Sequence, residues 1–206
     1  MVMLHIVKLV LNGYKEKIER EKQKSGLSDS VVIGTAKIKG SETVLIIFDS
    51  SFFMGTIGVN NGKKIIKGIE YATENKLSIC SILSSGGIRV QEGIKALMQM
   101  AKICGALKKH DNAGLLYISI LDKVVTGGTY ASLGELGDIV IGIEHSIVSF
   151  AGKKVLNQTL NKDTDDNFQT VEFAYNNGMV DILANKENIK GILINLINIY
   201  GGKNEK

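Results

Sequence analysis

Hydrophobic and polar positions change rhythm several times along this chain, and the changes mark out its elements. Gly13 to Lys24 is dense in charges of both signs, which predicts a solvated helix. Beyond Gly26 the apolar residues crowd together. Val31–Lys39 and Thr43–Phe48 read as two β-strands joined by Lys39-Gly40-Ser41-Glu42, a hairpin. Gly62–Glu74 then turns helical, with Ile65, Ile66, Ile69 and Ala72 on one side. Leu77–Leu83 is an apolar strand. Arg89–Leu107 has the strongest helical period, with Val90, Ile94, Leu97, Met98, Ala101, Cys104 and Gly105 recurring at three and four residues.

Strands and helices continue to alternate to the end. Leu115–Leu121 predicts a strand, Thr129–Leu136 a short helix, and Ile139–Ile143 and Ser146–Phe150 two more strands. Lys153–Leu160 and Phe168–Asn176 predict helices, Met179–Leu183 a strand, and Glu187–Ile199 a closing helix, with a loop at Asn161–Asn167. Repeated β-α units with continuous apolar strands imply an α/β fold whose sheet is mostly parallel and buried on both faces. Residues 1–26 read as a charged N-terminal extension and 27–206 as one domain.

Composition narrows the function classes. Apolar residues make up 44% of the 206 and charged residues 22%, a balance that excludes disorder. No apolar run reaches the roughly 20 residues of a spanning helix, so no membrane role is expected. The opening apolar stretch lacks a basic flank and a small-residue cleavage site, so a cytoplasmic chain is expected. The net charge of +4 is spread along the chain without aromatic interleaving, which argues against nucleic acid.

Candidate metal ligands are sparse. Cys80 and Cys104 stand far apart in apolar surroundings and read as reduced core thiols. His5, His110 and His145 have no ligand spacing, and Asp163, Asp165 and Asp166 lack the Gly and Glu of a calcium loop. No metal is expected. Met54 to Lys64 looks like a phosphate loop but fails the P-loop spacing at Ile57 and Lys64. Neither G-x-G-x-x-G nor G-x-S-x-G occurs.

What remains is a local similarity. Ser81-Ile-Leu-Ser-Ser-Gly86-Gly87 and Ser119-Ile-Leu121 through Thr126-Gly127-Gly128 each read as a strand ending in a glycine pair before a helix. Glycine lets a ligand atom approach the backbone and lets N–H groups converge on a developing oxyanion, such as a thioester enolate. Two tight βα turns would give the same pattern. Backbone donors without an obvious catalytic side chain fit a reaction whose base comes from a cofactor or substrate.

Gly86-Gly-Ile-Arg-Val-Gln-Glu-Gly93, followed by Leu97-Met-Gln-Met-Ala-Lys102, resembles the carboxyltransferase β subunit of acetyl-CoA carboxylase. So do Met54-Gly-x-x-Gly58-x-x-x-Gly62, Tyr117-Ile-Ser119, Thr126-Gly-Gly-x-x-Ala-Ser132, Leu136-Gly-Asp138 and Phe150-Ala-Gly152 with Val155 and Gln158-Thr159. Glu172-Phe173 and Gly178-x-x-Asp181 continue the match, which spans roughly residues 12 to 199.

The resemblance implies a crotonase/ClpP-like superhelix of β-β-α units. It implies transfer of a carboxyl group from carboxybiotin, on a biotin carboxyl carrier protein, to acetyl-CoA or a related acyl-CoA, giving malonyl-CoA. A carboxyltransferase α-type subunit would complete the site in a hetero-oligomer of α2β2 kind. Gly86 and Gly87 would hold the enolate oxygen, and Gly127 and Gly128 would line the same site. Arg89 is a candidate for CoA phosphate or for an ion pair with Glu92. Met54, Gly55, Gly58, Lys63 and Lys64 are further substrate-binding candidates, the two lysines equally readable as a solvated pair.

Departures from the family pattern are local. The family's usual N-terminal four-cysteine zinc ribbon would end before the first residue of this sequence. Lys153-Lys154 replaces Pro-Arg, Asn157 replaces Glu, and Lys123-Val124-Val125 replaces Asp-Pro-Thr. Two other readings stay open: a biotin-independent decarboxylase, hydrolase or isomerase of acyl thioesters, and a non-catalytic paralogue that binds an α-type partner.

Overall fold

The structure is a computed structural model that describes residues 2–152, 157–159 and 167–200, with side chains described from residue 13 onward. An N-terminal helix, α1 (Val2–Ser25), leads into a hairpin of β1 (Val31–Ile38) and β2 (Ser41–Phe48). Ile38 pairs with Ser41, so Lys39 and Gly40 form a two-residue turn, and both have positive φ, at 47° and 94°. That geometry matches the right-handed twist of the strands it joins. The short link between the two apolar runs is thus the turn itself.

From β2 onward the strand pairings among the described residues are parallel, apart from a single antiparallel bridge between Ile147 and Thr170. Helix α2 (Val59–Glu74) leads to β3 (Ser78–Ser85), and α3 (Gly93–Asn112) leads to β4 (Tyr117–Thr126). Helix α4 (Gly127–Ser132), a 3-10 turn at Gly134–Leu136, and strands β5 (Ile139–Ile143) and β6 (Ile147–Ser149) follow. Helix α5 (Val171–Asn176), β7 (Ile182–Ala184) and α6 (Ile189–Tyr200) complete the described elements. The sheet runs β1-β2-β3-β4-β5-β7. β4 serves two neighbours, pairing with β5 through Ile118–Leu121 and with β6 through Val124–Thr126.

Burial is nearly continuous along β3 and the first half of β4, as expected for a sheet covered on both sides, with alternate residues entering opposite cores. Ile79, Leu83, Tyr117, Leu121 and Val125 join the core under α2, α3 and α5. Cys80, Ile118, Ile120, Ile141 and Ile143 join the opposite core, which α6 covers through Ile192, Leu193, Leu196 and Ile197. Residues 157–159 are helical, and the rest of the helix expected over Lys153–Leu160 lies outside the described residues. So does most of the loop at Asn161–Asn167. No helix among the described residues is long and apolar enough to cross a membrane.

Two aspartates fix strand register in the same way. Asp138 accepts from Tyr117 N–H at 2.8 Å and donates its own N–H to Tyr117 C=O at 2.9 Å. Asp181 does the same to Val140, at 2.7 and 2.9 Å. Each carboxylate satisfies an amide near the start of the neighbouring strand, just before the ladder between the two strands begins.

Helix α3 does not bury its bulkiest N-terminal apolar residues. Its buried residues are Ala96, Gln99, Ile103, Ala106, Leu107 and His110. The bulkier stripe faces outward, with Val90 81% and Ile94 66% exposed and Leu97 and Met98 half exposed. Helices α2 and α3 come closest where Gly62 faces Gln99: a Cβ on Gly62 would fall 2.6 Å from Gln99 Cγ, so no side chain fits at that crossing. Helical periodicity finds a stripe but does not say which stripe meets the core.

His110 is sealed under α2, its Nδ1 3.0 Å from Thr73 Oγ1 and its Nε2 3.3 Å from Leu116 O. Burial holds its pKa below the ordinary 6.5. The folded state therefore binds this proton less readily than the unfolded chain, and stability falls as pH drops from 6.5 through the depressed pKa. Urea midpoints should decline between about pH 7.5 and about pH 5, and His110→Gln should flatten that decline. An unchanged acid slope in the variant would place its origin elsewhere.

Candidate active site

Strands β3 and β4 end side by side, with Ser85 paired to Val125, and the two glycine turns beyond them touch. Gly87 has φ +105°, and a Cβ there would lie 3.1 Å from Thr126 O and 3.4 Å from Gly128 N. Gly127 has φ +58°, and its missing Cβ would sit 3.7 Å from Gly87 Cα. Only glycine tolerates both the dihedrals and the approach. Beneath them lies a buried ring of hydrogen bonds. Gly87 N–H donates to Ser85 Oγ at 3.1 Å, Ser85 Oγ meets Thr129 Oγ1 at 2.8 Å, and Thr129 donates to Gly87 O at 3.2 Å. The ring fixes the peptide between the turns.

The two glycine pairs are not equivalent. Gly127 and Gly128 open α4 as expected, but Gly86 and Gly87 do not open α3, which starts at Gly93. Between them Ile88 runs extended beside Ile57, held by Ile57 N–H to Gly87 O and Arg89 N–H to Ile57 O, both 2.8 Å. The expectation that the first pair presents free amides is also not met. Gly86 N–H donates to Met54 O at 2.8 Å, and Gly87 N–H is taken by Ser85. The next amide, Ile88 N–H, has no acceptor among the described residues. It points away from Ile57, because alternate peptides in an extended segment face opposite sides.

Most other nominated residues build the walls. Met54 sits at φ 56° in a 3-10 turn (Phe53–Gly55), its carbonyl on Gly86 and its side chain largely exposed. Gly55, at φ +69°, packs directly on the Ser84 carbonyl. Gly58 caps α2, its N–H donating to Asn61 Oδ1 at 2.6 Å. Glu92 Oε2 accepts from Val59 N–H at 2.5 Å, so a carboxylate already occupies the start of α2. Lys63 and Lys64 lie one turn further on, exposed.

Arg89 is only 5% exposed. It donates to Thr56 O at 2.9 Å, pairs with Glu92 at 3.3 Å and Asp29 at 3.6 Å, and stacks near Phe53 at 4.9 Å. Tyr14 from α1 donates to Glu92 at 2.5 Å; burial first, then that carboxylate, push its phenol up to about 12. Arg89 thus ties α1, the Phe53–Gly55 turn and the start of α3 together. Arg89→Ala should lower stability by about 3–5 kcal/mol, because two carboxylates lose their cation. Urea denaturation checks this, and a loss below about 1 kcal/mol would mean the network is solvated instead.

The carboxyl transferase domain model matches residues 12–198. This chain belongs to the carboxyl transferase family. It is 44% identical over 197 residues to the acetyl-CoA carboxylase carboxyl transferase subunits beta/alpha of Clostridium tetani, covering 96% of this chain and 34% of that protein. To subunit beta of Clostridium botulinum it is 44% identical over 192 residues, covering 93% of this chain and 66% of that one. The chain thus spans about a third and just under two thirds of these relatives' lengths.

Among solved structures, transcarboxylase 12S with hydrolysed methylmalonyl-CoA bound superposes with a TM-score of 0.76 at 24% identity, over 82% of this chain and 33% of that one. A Pseudomonas malonate decarboxylase hetero-tetramer with malonate gives 0.75 at 19% identity, over 84% and 68%. At these identities the likeness is one of fold. The fold is the crotonase-like one that carboxyl transferases share.

In this carboxyl transferase domain a cleft of about 640 Å³ opens beside the first turn, lined by Gly86, Ile88, Val90 and Met54 and, from α1, by Lys17 and Lys24. Sequence reasoning overlooked Ile88, whose side chain carries no chemistry, and the two α1 lysines, which sit in a run that reads as a solvated face. Among the described residues no cluster of three His, Cys, Asp or Glu could hold a metal.

Proposed function

We propose that this chain, through residues 27–206, is the acyl-CoA half of a biotin-dependent carboxyl transferase that converts acetyl-CoA to malonyl-CoA in the cytoplasm. An α-type subunit and a biotin carboxyl carrier protein would complete the complex, of α2β2 kind. The observation that carries this reading is the contact between the two glycine turns, where Gly87 Cα comes 3.7 Å from the missing Cβ of Gly127. The unengaged Ile88 N–H and the Gly128 N–H border that contact. Two such donors stabilise charge on a thioester oxygen as its α carbon becomes an enolate, an effect commonly worth about a hundredfold or more in rate per donor.

The remaining residues position the substrate. Gly87 leaves the approach open, Ser85 and Thr129 hold its peptide rigid, and Lys17 and Lys24 line the cleft where CoA phosphates would meet positive charge. Biotin on its carrier supplies the carboxyl group and, once that group has left, the base that removes the α proton. Two carboxylates near the turns are already engaged: Glu92 is bonded to Tyr14, Arg89 and Val59, and Asp138 to Tyr117. The outward stripe of Val90, Ile94, Leu97 and Met98 beside the cleft offers the α-type partner an apolar seat.

Malonyl-CoA decarboxylation tests the reading. The chain alone should turn over little, and addition of an α-type subunit with biotin should restore turnover. Robust decarboxylation by the lone chain without biotin would establish the biotin-independent reading. Inactivity with its native α partner would establish the non-catalytic one.

A further inference from the structure

A cavity of about 500 Å³ lies between the sheet and α6, on the side of the strands opposite α2 and α3. Ile38, Ile82 and Ile120 from β1, β3 and β4 line it, with Leu193 and Ile194 from α6. It shares no lining residue with the cleft beside the first glycine turn. Ile38, Ile82, Leu193 and Ile194 are each only partly covered, so apolar surface here stays in contact with water. Covering that surface with an aliphatic chain is favourable in proportion to the area removed from water.

Positive charge gathers at the same place. Lys37 and Lys39 border the cavity from the hairpin, and Lys186 and Lys190 from the approach to α6 and its first turn. All four are exposed, and none forms an ion pair among the described residues. Against them stands one lining acid, Asp122. Glu42 faces Lys37 in the hairpin register but lies beyond ion-pair distance. Lysine stems lie along apolar surface while their ammonium heads stay in water. An apolar floor with a lysine rim therefore suits a molecule that is apolar along its length and anionic at one end. The volume falls in the range of small-molecule sites, whereas a protein partner would need about 800 Å² of matching surface.

We infer that this cavity binds an aliphatic carboxylate, its chain along Ile82, Ile120 and Leu193 and its head among the four ammonium groups. The inference is independent of the acyl-CoA reading, since the glycine turns take no part in it.

Calorimetric titration of the full chain with hexanoate, octanoate and decanoate, each below its micelle concentration, tests it. Affinity should rise about tenfold for each added pair of methylenes, the effect of burying them. Decyltrimethylammonium, with a chain of the same length and the opposite charge, should bind at least about tenfold weaker than decanoate. The Lys186→Gln, Lys190→Gln double variant, altered only at exposed positions, should weaken decanoate about tenfold, with circular dichroism reporting an intact fold. Excess CoA should leave decanoate binding unchanged.

Equal binding of decanoate and the cation would overturn the inference, as would unchanged decanoate affinity in the lysine variant. Failure of decanoate to bind by about 1 mM would overturn it too. Displacement of decanoate by CoA would place the carboxylate in the cleft instead. Sedimentation separates the remaining occupant: a dimer of the chain that excludes decanoate would assign this face to a second copy and overturn the small-ligand site.

Discussion

Gly87→Ala is expected to lower kcat/KM for carboxyl transfer at least about a hundredfold while the chain stays folded. The added methyl would sit 3.1 Å from Thr126 O and 3.4 Å from Gly128 N, between the two amides proposed to receive the thioester oxygen. It would fill the gap rather than disturb the core. Gly87 has φ +105°, so the substitution also strains the backbone by about 1–3 kcal/mol. Kinetics with partner and biotin, set beside a urea titration, separate the two effects. Activity within about threefold of the unaltered chain would place the reacting oxygen somewhere else.

Gly55→Ala is expected to destabilise the fold severely. A Cβ there would lie 2.0 Å from the Ser84 carbonyl oxygen and 3.1 Å from Ser85 Cα, and both are backbone of β3. No side chain can rotate away to make room. The Phe53–Gly55 turn would have to lift from the strand, breaking the bond from Gly86 N–H to Met54 O and straining the φ of +69° as well. A loss of about 3–5 kcal/mol follows, at the upper end for single substitutions. Gly105→Ala is the matched control: it is an exposed position inside α3 with open space around it, and alanine there should add about 0.5–1 kcal/mol. Similar urea midpoints for both variants would contradict the packing described for Gly55.

Much of this was legible in the residues. The hairpin showed in Lys39-Gly40, the parallel sheet in its unbroken apolar strands, and the family in motifs scattered from Met54 to Asp181. The motif aspartates Asp138 and Asp181 turned out to hold strand register, a role that spacing alone does not announce. Three features stayed hidden because they depend on contacts between distant segments. The bulky residues at the start of α3 face outward while Gln99 packs against Gly62 of α2, a contact between distant segments. Arg89 is enclosed by Asp29, Phe53 and Thr56, all more than thirty positions away. The free amide at the first turn belongs to Ile88 because Met54 and Ser85 engage its two glycine neighbours, a matter of backbone geometry with no signature in side-chain identity.

A crystal of the chain with a non-hydrolysable acetyl-CoA analogue puts the oxyanion site to direct test. The carbonyl oxygen should lie about 3 Å from both Ile88 N and Gly128 N, with the CoA chain leaving toward Lys17 and Lys24. A carbonyl turned away from those two amides, with Ile88 N–H bonded to water or protein, would contradict it.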